Sequence, residues 1–154
     1  MRIFRKRIII GRRGSAAIEF AIACPVMLLM FGGLVDFGLA FLDKGMLANA
    51  VAQGAYYAYL TGTSVNGTTI QTMVQKASKL SGVSATVIGP ACYCITGAPL
   101  ALVAAACTTP PCGDTTTPGS YVQITATYTY RSIMPFYSKL NNPTLRETTT
   151  VRLK

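Results

Sequence analysis

The sequence predicts an α+β chain in which an N-terminal transmembrane helix extends into a periplasmic helix, followed by a small antiparallel sheet with a disulfide-stapled loop. Three observations predict it. A membrane-length apolar run follows a basic N-terminus. The hydrophobic period then changes from helical to two beyond Gly82. Four cysteines fall within one Pro-, Gly-, Ala- and Thr-rich stretch between the predicted strands.

The apolar run comes first. The sixteen residues from Phe20 to Val35 carry no charge, and residues 15–42 contain only Glu19 and Asp36. A bilayer core needs about 20 apolar residues, which the flanks supply. Six of the fourteen Lys/Arg residues lie in residues 1–14 and only Lys44 follows the run closely. That asymmetry keeps the N-terminus cytoplasmic and sends the rest across. The expected organisation is a cytoplasmic leader at 1–14, a transmembrane helix at 15–42 and a periplasmic α+β head at 43–154. A cleaved secretory signal fits poorly, because the run is too long and Ala48-Asn49-Ala50 lies too far downstream.

Beyond the run, residues 43–60 continue as helix, since no proline interrupts them. Gly45, Ala48, Ala52, Ala55 and Tyr59 form a face of mainly small residues, with Asn49, Gln53 and Tyr56 beside it. Such a face admits a close neighbour; alanine's helix propensity is the equal alternative. Residues 61–69 read as a linker in which Asn66-Gly67-Thr68 is a turn rather than a glycosylation acceptor. Residues 70–80 read as a short amphipathic helix on Ile70, Met73, Val74, Ala77 and Leu80, stopped by Gly82. Strands follow at 83–87, 121–130 and 145–154, each alternating apolar with polar residues.

Composition excludes several functions. The formal charge is +9, but removing residues 1–14 leaves +3, so the basicity is topogenic and no nucleic-acid footprint remains. The chain has no His, which removes the commonest general base and metal ligand. Beyond Asp43 at the interface, Asp114 and Glu147 are the head's isolated carboxylates, with no motif around either, and Tyr56, Tyr57, Tyr59, Tyr128 and Tyr130 read as core or interface aromatics. No catalytic residues, no metal site and no cofactor are expected; the chain is not an enzyme. Cys92, Cys94, Cys107 and Cys112 are spaced as C-x-C and C-x4-C. On the oxidising side, without His and off any standard finger spacing, disulfides are favoured over zinc. Pairing Cys92 with Cys94 closes too tight a loop, and the two remaining connectivities stay open. Cys24 reads as a packing residue.

The pattern Gly14-Ser15-Ala16-Ala17-Ile18-Glu19-Phe20 resembles the processing site of a type IV-like prepilin, specifically the TadE-like pseudopilins of tight-adherence (Flp) pilus systems. The resemblance covers residues 12–59 and extends to Pro25, Gly32-Gly33 and Asp36-Phe37-Gly38. It implies cleavage between Gly14 and Ser15 by a prepilin peptidase, with Glu19 and Phe20 read in processing and assembly. Cleavage would expose an ammonium at Ser15 about one helical turn from Glu19, and a neighbouring subunit's Glu19 would pair with it strongly in apolar surroundings. The alternative is a helix-start carboxylate favoured by the macrodipole. Asp36 lies about 31 Å along the helix from Ser15, near the opposite interface; it marks that boundary or pairs subunits. Flp major pilins carry Glu-Tyr where Glu19-Phe20 stands here, and they are much shorter. Both departures imply a minor pseudopilin acting structurally in pilus assembly, adhesion and biofilm formation. Its implied partners are the peptidase, other pilin-like subunits, an inner-membrane pilus platform protein and the lipid bilayer. Two other readings stand beside it: an unprocessed signal-anchored periplasmic binding domain, and a pilus-associated adhesin whose Cys-rich loop meets a surface ligand.

Overall fold

The computed structural model describes residues 13–96, 101–107, 112, 117–134 and 143–153. The expected leader lies outside them except for the backbone of Arg13 and Gly14, as does Asp114.

Helix α1 runs unbroken from Arg13–Thr61, 49 residues, with Pro25 inside it. At 1.5 Å per residue it is roughly 73 Å long. Among the described residues it is the one helix long and apolar enough to cross a membrane. Its lower half is largely bare: Phe20, Ile22, Leu28, Met30 and Leu34 are all exposed. Its upper half packs the head. A 3₁₀ turn, Gly62–Ser64, leads into α2, Gly67–Ala77. The sheet has four strands, β1 Ser84–Thr96, β2 Ala101–Ala104, β3 Gly119–Thr129 and β4 Thr144–Arg152. They lie in the order β2-β1-β3-β4, every pair antiparallel.

Both helices cover one face of the sheet, α1 against β3 and β4 and α2 against β1. Leu47, Ala50, Val51 and Ala58 of α1 meet Ile70 and Val74 of α2 and Ala85, Val122, Ile124 and Ala126 of the sheet. The other face carries Thr86, Thr125, Thr127 and Thr148, with the Thr125 and Thr148 hydroxyls 3.0 Å apart. The expected α+β architecture and its antiparallel sheet therefore stand.

Four details depart from expectation. The linker is shorter than 61–69, because the Asn66 side chain accepts from the Thr68 N–H at 2.9 Å and starts α2 at Gly67. An N-cap of this kind satisfies a donor that the first turn cannot. Strand β1 continues from 87 to Thr96, past an irregularity between Ile88 and Ala91 where Gly89 has φ +102°. The short strand β2 lies in the stretch read as loop. Finally, the buried face of α1 is not the small-residue face Gly45, Ala48, Ala52, Ala55 and Tyr59. Ala55 alone of these is partly buried in the core; the other four are exposed. Close approach occurs instead at Gly54, where a Cβ would stand 2.8 Å from Val74 Cγ2 and 3.2 Å from Ile70 Cγ2.

The buried positions on α1 form one continuous seam. Gly32, Asp36, Leu47, Ala50, Gly54 and Ala58 are buried, with Ala40 and Asp43 half-buried between them. These steps of three and four residues follow the 3.6-residue turn, so the head lies along a single side of the helix for about 39 Å.

Candidate functional site: the ends of the apolar segment

Two clusters bound the bare part of α1. The lower one is the expected processing segment. Gly14 and Ser15 lie in the first turn of α1, and Glu19 and Phe20 lie one turn further on, both exposed. All residues of the expected pattern are thus carried on one helix, and residues 16–20 are exposed.

The upper cluster is built around Asp36, which is 7% exposed although the residues on either side, Val35 and Phe37, are bare. After Thr129 the chain leaves β3, and the Tyr130 N–H donates to the Pro143 carbonyl at 3.0 Å. This bond extends the β3–β4 pairing by one step, and residues 130–134 then run along α1 from Asp36 toward Gly32. The Tyr130 hydroxyl donates to Asp36 Oδ1 at 2.9 Å and approaches the Asp36 carbonyl at 3.2 Å. The Ile133 N–H donates to the same Oδ1 at 3.0 Å, and the Ser132 hydroxyl donates to Oδ2. Both carboxylate oxygens are therefore occupied by donors from one short segment. Charge-assisted bonds of this kind are the stronger class.

One turn below Asp36, Gly32 is covered by Met134, whose sulfur would lie 3.4 Å from a Cβ placed there. Burial pushes the Tyr130 phenol up to about 12, and its bond to Asp36 and the nearby negative charge act in the same direction. Burial also raises the Asp43 carboxyl above its ordinary range. Higher still, Lys44 Nζ stands 3.5 Å from Glu147 Oε1, tying α1 to β4.

This arrangement refines the reading of Asp36. Its carboxylate is engaged within its own chain, as the anchor of the 130–134 segment. Tyr130 and Ser132 were not singled out by sequence for this role. The available signal is that a carboxylate within an apolar run of membrane length needs donors, and that Tyr130 ends the expected strand at 121–130 with Ser132 two residues beyond it.

The cysteines resolve into two bridges, Cys92–Cys107 and Cys94–Cys112, with Cα–Cα distances of 5.3 and 5.4 Å. The pairing is crossed: each β1 cysteine reaches past the other's loop. Cys94 and Cys112 are buried, whereas Cys107 is exposed. Cys24 is a free, half-buried thiol on α1. Among the described residues no group of three or more His, Cys, Asp or Glu side chains gathers as a metal site.

Residues 14–55 match the family model of TadE-like proteins. No curated protein and no solved structure matches the chain. The matched segment begins at Gly14 and ends within the head-packing half of α1, leaving α2 and the sheet outside it.

Proposed function

We propose that this chain, whose residues 14–55 match the TadE-like protein family model, is a minor pseudopilin of a tight-adherence pilus. It enters the inner membrane with its N-terminus in the cytoplasm and its head in the periplasm. A prepilin peptidase cuts between Gly14 and Ser15. The mature chain then acts structurally in pilus assembly, and through it in adhesion and biofilm formation.

The observation that carries this reading is the division of α1. One uninterrupted helix presents a bare apolar half headed by Gly14, Ser15, Glu19 and Phe20, and a second half that is the spine of a folded head. A helix of this form serves first as a membrane anchor and then, once extracted, as a surface for other pilin-like helices. Glu19 is the residue that changes partner between those states, from the interface to the Ser15 ammonium of a neighbouring subunit. Burial in an apolar bundle strengthens that pairing relative to water. Two disulfides support an extracytoplasmic head, because such bridges persist in oxidising compartments. The head supplies the specific contacts with other pilin-like subunits and with the platform protein.

The test is expression of the full precursor with and without a cognate prepilin peptidase, reading the mature N-terminus by mass spectrometry. The expected result is a peptidase-dependent N-terminus at Ser15 that disappears in Gly14→Arg. An intact precursor under both conditions overturns the pseudopilin mechanism.

A further inference from the structure

We propose that the segment after β3, at Ile133 and Met134, is a second membrane contact that seats in the outer leaflet beside α1. The proposal rests on the reading that α1 spans the bilayer, and it concerns a part of the head that the family match does not reach.

The first argument is depth. Arg12 and Arg13 hold the cytoplasmic end of the helix at the headgroups. From Ser15, about 20 residues at 1.5 Å each cross a hydrocarbon core of about 30 Å, and the helix leaves it near Val35 and Asp36. Met134 covers Gly32, four residues inward, which is about 6 Å below that level. The Asp36 hydrogen bonds fix the segment there from both sides, through Tyr130 and Ser132 and through the Ile133 backbone. If the helix sits deeper, with its boundary nearer Leu42, the segment is carried further in.

The second argument is chemistry. Ile133 is 68% exposed and Met134 remains partly open, although both sit against the driest part of the protein. At a similar height on α1, Leu34, Val35 and Phe37 are exposed apolar residues as well. Arg131, two residues above Ile133, is exposed at the level where anionic lipid phosphates lie. An apolar tip with a cation just above it is the pattern of an interfacial anchor, which buries itself 5–10 Å into the headgroup and acyl boundary. The polar backbone that such a loop brings to this depth is offset by Asp36, which takes the Ile133 N–H. The occupant is therefore lipid: the tip lies at the height of a membrane span, with the exposed Arg131 just above it.

The chain contains no tryptophan, so a single introduced indole reports its own surroundings. Ile133→Trp, Leu28→Trp and Thr86→Trp chains would be reconstituted at full length into phosphatidylethanolamine/phosphatidylglycerol vesicles containing lipid brominated near the headgroup end of the acyl chain. Leu28 lies in the proposed span and Thr86 on the open face of the sheet. The expected result is bromine quenching and a blue-shifted emission for Ile133→Trp, with Leu28→Trp quenched better by bromine placed deep in the chain and Thr86→Trp unquenched. Adding Asp36→Ala to Ile133→Trp should reduce its quenching at least twofold.

Quenching of Leu28→Trp together with water-exposed emission from Ile133→Trp overturns the loop contact and leaves the span intact. Indole at 133 shielded from both bromine and aqueous iodide assigns the surface to a second copy of the chain and also overturns the proposal. Failure of Leu28→Trp to quench at any bromine depth overturns the span reading on which it rests. Met134→Trp repeats the measurement if Ile133→Trp does not retain both disulfides.

Discussion

Breaking the Asp36 anchor gives a result whose size follows from the geometry. Hydrogen bonds to a charged group contribute about 1.5–3 kcal/mol each, and three donors converge on this carboxylate. The loss in Asp36→Ala is smaller than their sum, because two donors have other acceptors in place. The Tyr130 hydroxyl still has the Asp36 carbonyl at 3.2 Å, and the Ser132 hydroxyl still has the Met134 carbonyl at 3.2 Å. Only the Ile133 N–H is left without a protein acceptor. Asp36→Ala should therefore cost about 3 kcal/mol, and Tyr130→Phe about 1.5 kcal/mol. The double variant should fall short of their sum by about 1–2 kcal/mol, since the two side chains share one interaction. Urea unfolding of the head in detergent micelles, followed by the near-ultraviolet tyrosine signal, measures all four corners of the cycle. Hydrogen exchange at the Ile133 amide supplies a local check, with protection lost in Asp36→Ala and largely kept in Tyr130→Phe. Coupling below about 0.3 kcal/mol is simple additivity, and it would refute the claim that Asp36 holds this segment.

Three further outcomes are expected. Gly54→Ala forces a Cβ to 2.8 Å from Val74 Cγ2; overpacking of this kind costs about 1–3 kcal/mol, readable as a lower midpoint of thermal unfolding, whereas Gly45→Ala, with open space around it, should not lower it. The bridges close separations of 15 and 18 residues, so removing either by paired Cys→Ser changes costs about 3 kcal/mol in the chain-entropy model. Mild reductant followed by mass-tagging of thiols should open Cys92–Cys107 first, because Cys107 is exposed while Cys94 and Cys112 are buried. Tyr130 has its folded-state pKa raised from 10.0 to about 12; a raised value favours the protonated form in the folded state. Its contribution to stability is full below pH 10 and lost as pH rises toward 12, and an alkaline titration of unfolding free energy should show this loss diminished in Tyr130→Phe.

The legible parts of this fold were those with local causes. The apolar run, the basic flank, the period-two strands and the amphipathic face of α2 each depend on residues close together in sequence. The four cysteines were visible as a set, but their crossing depends on β1 placing Cys92 and Cys94 in one strand opposite two separate return segments. Asn66 was read as a turn because an N-cap and a turn use the same side-chain chemistry. Which face of α1 the head covers is not legible in the sequence. Small residues occur on both sides of it, at 45, 48, 52 and 55 and at 50, 54 and 58, so size alone does not separate them. Leu47 and Val51 mark the buried side, and they gain meaning only against α2 and β3. Asp36 was visible as unusual, yet its donors lie 94 to 97 residues away. No pattern within the apolar segment encodes a partner so remote.

The seam from Gly32 to Ala58 gives α1 an angular identity. An isolated apolar helix is a near-cylinder, free to spin in the bilayer and alike from every side. With the head fixed along one meridian, rotation of the helix is rotation of the whole subunit, and the opposite meridian stays open through Gly45, Ala48, Ala52 and Tyr59. A neighbour diffusing in the membrane plane therefore meets a keyed shaft with a front and a back. Among the described residues the back alone is clear along its full length, so in the proposed assembly the compass bearing of approach is set before any two helices touch.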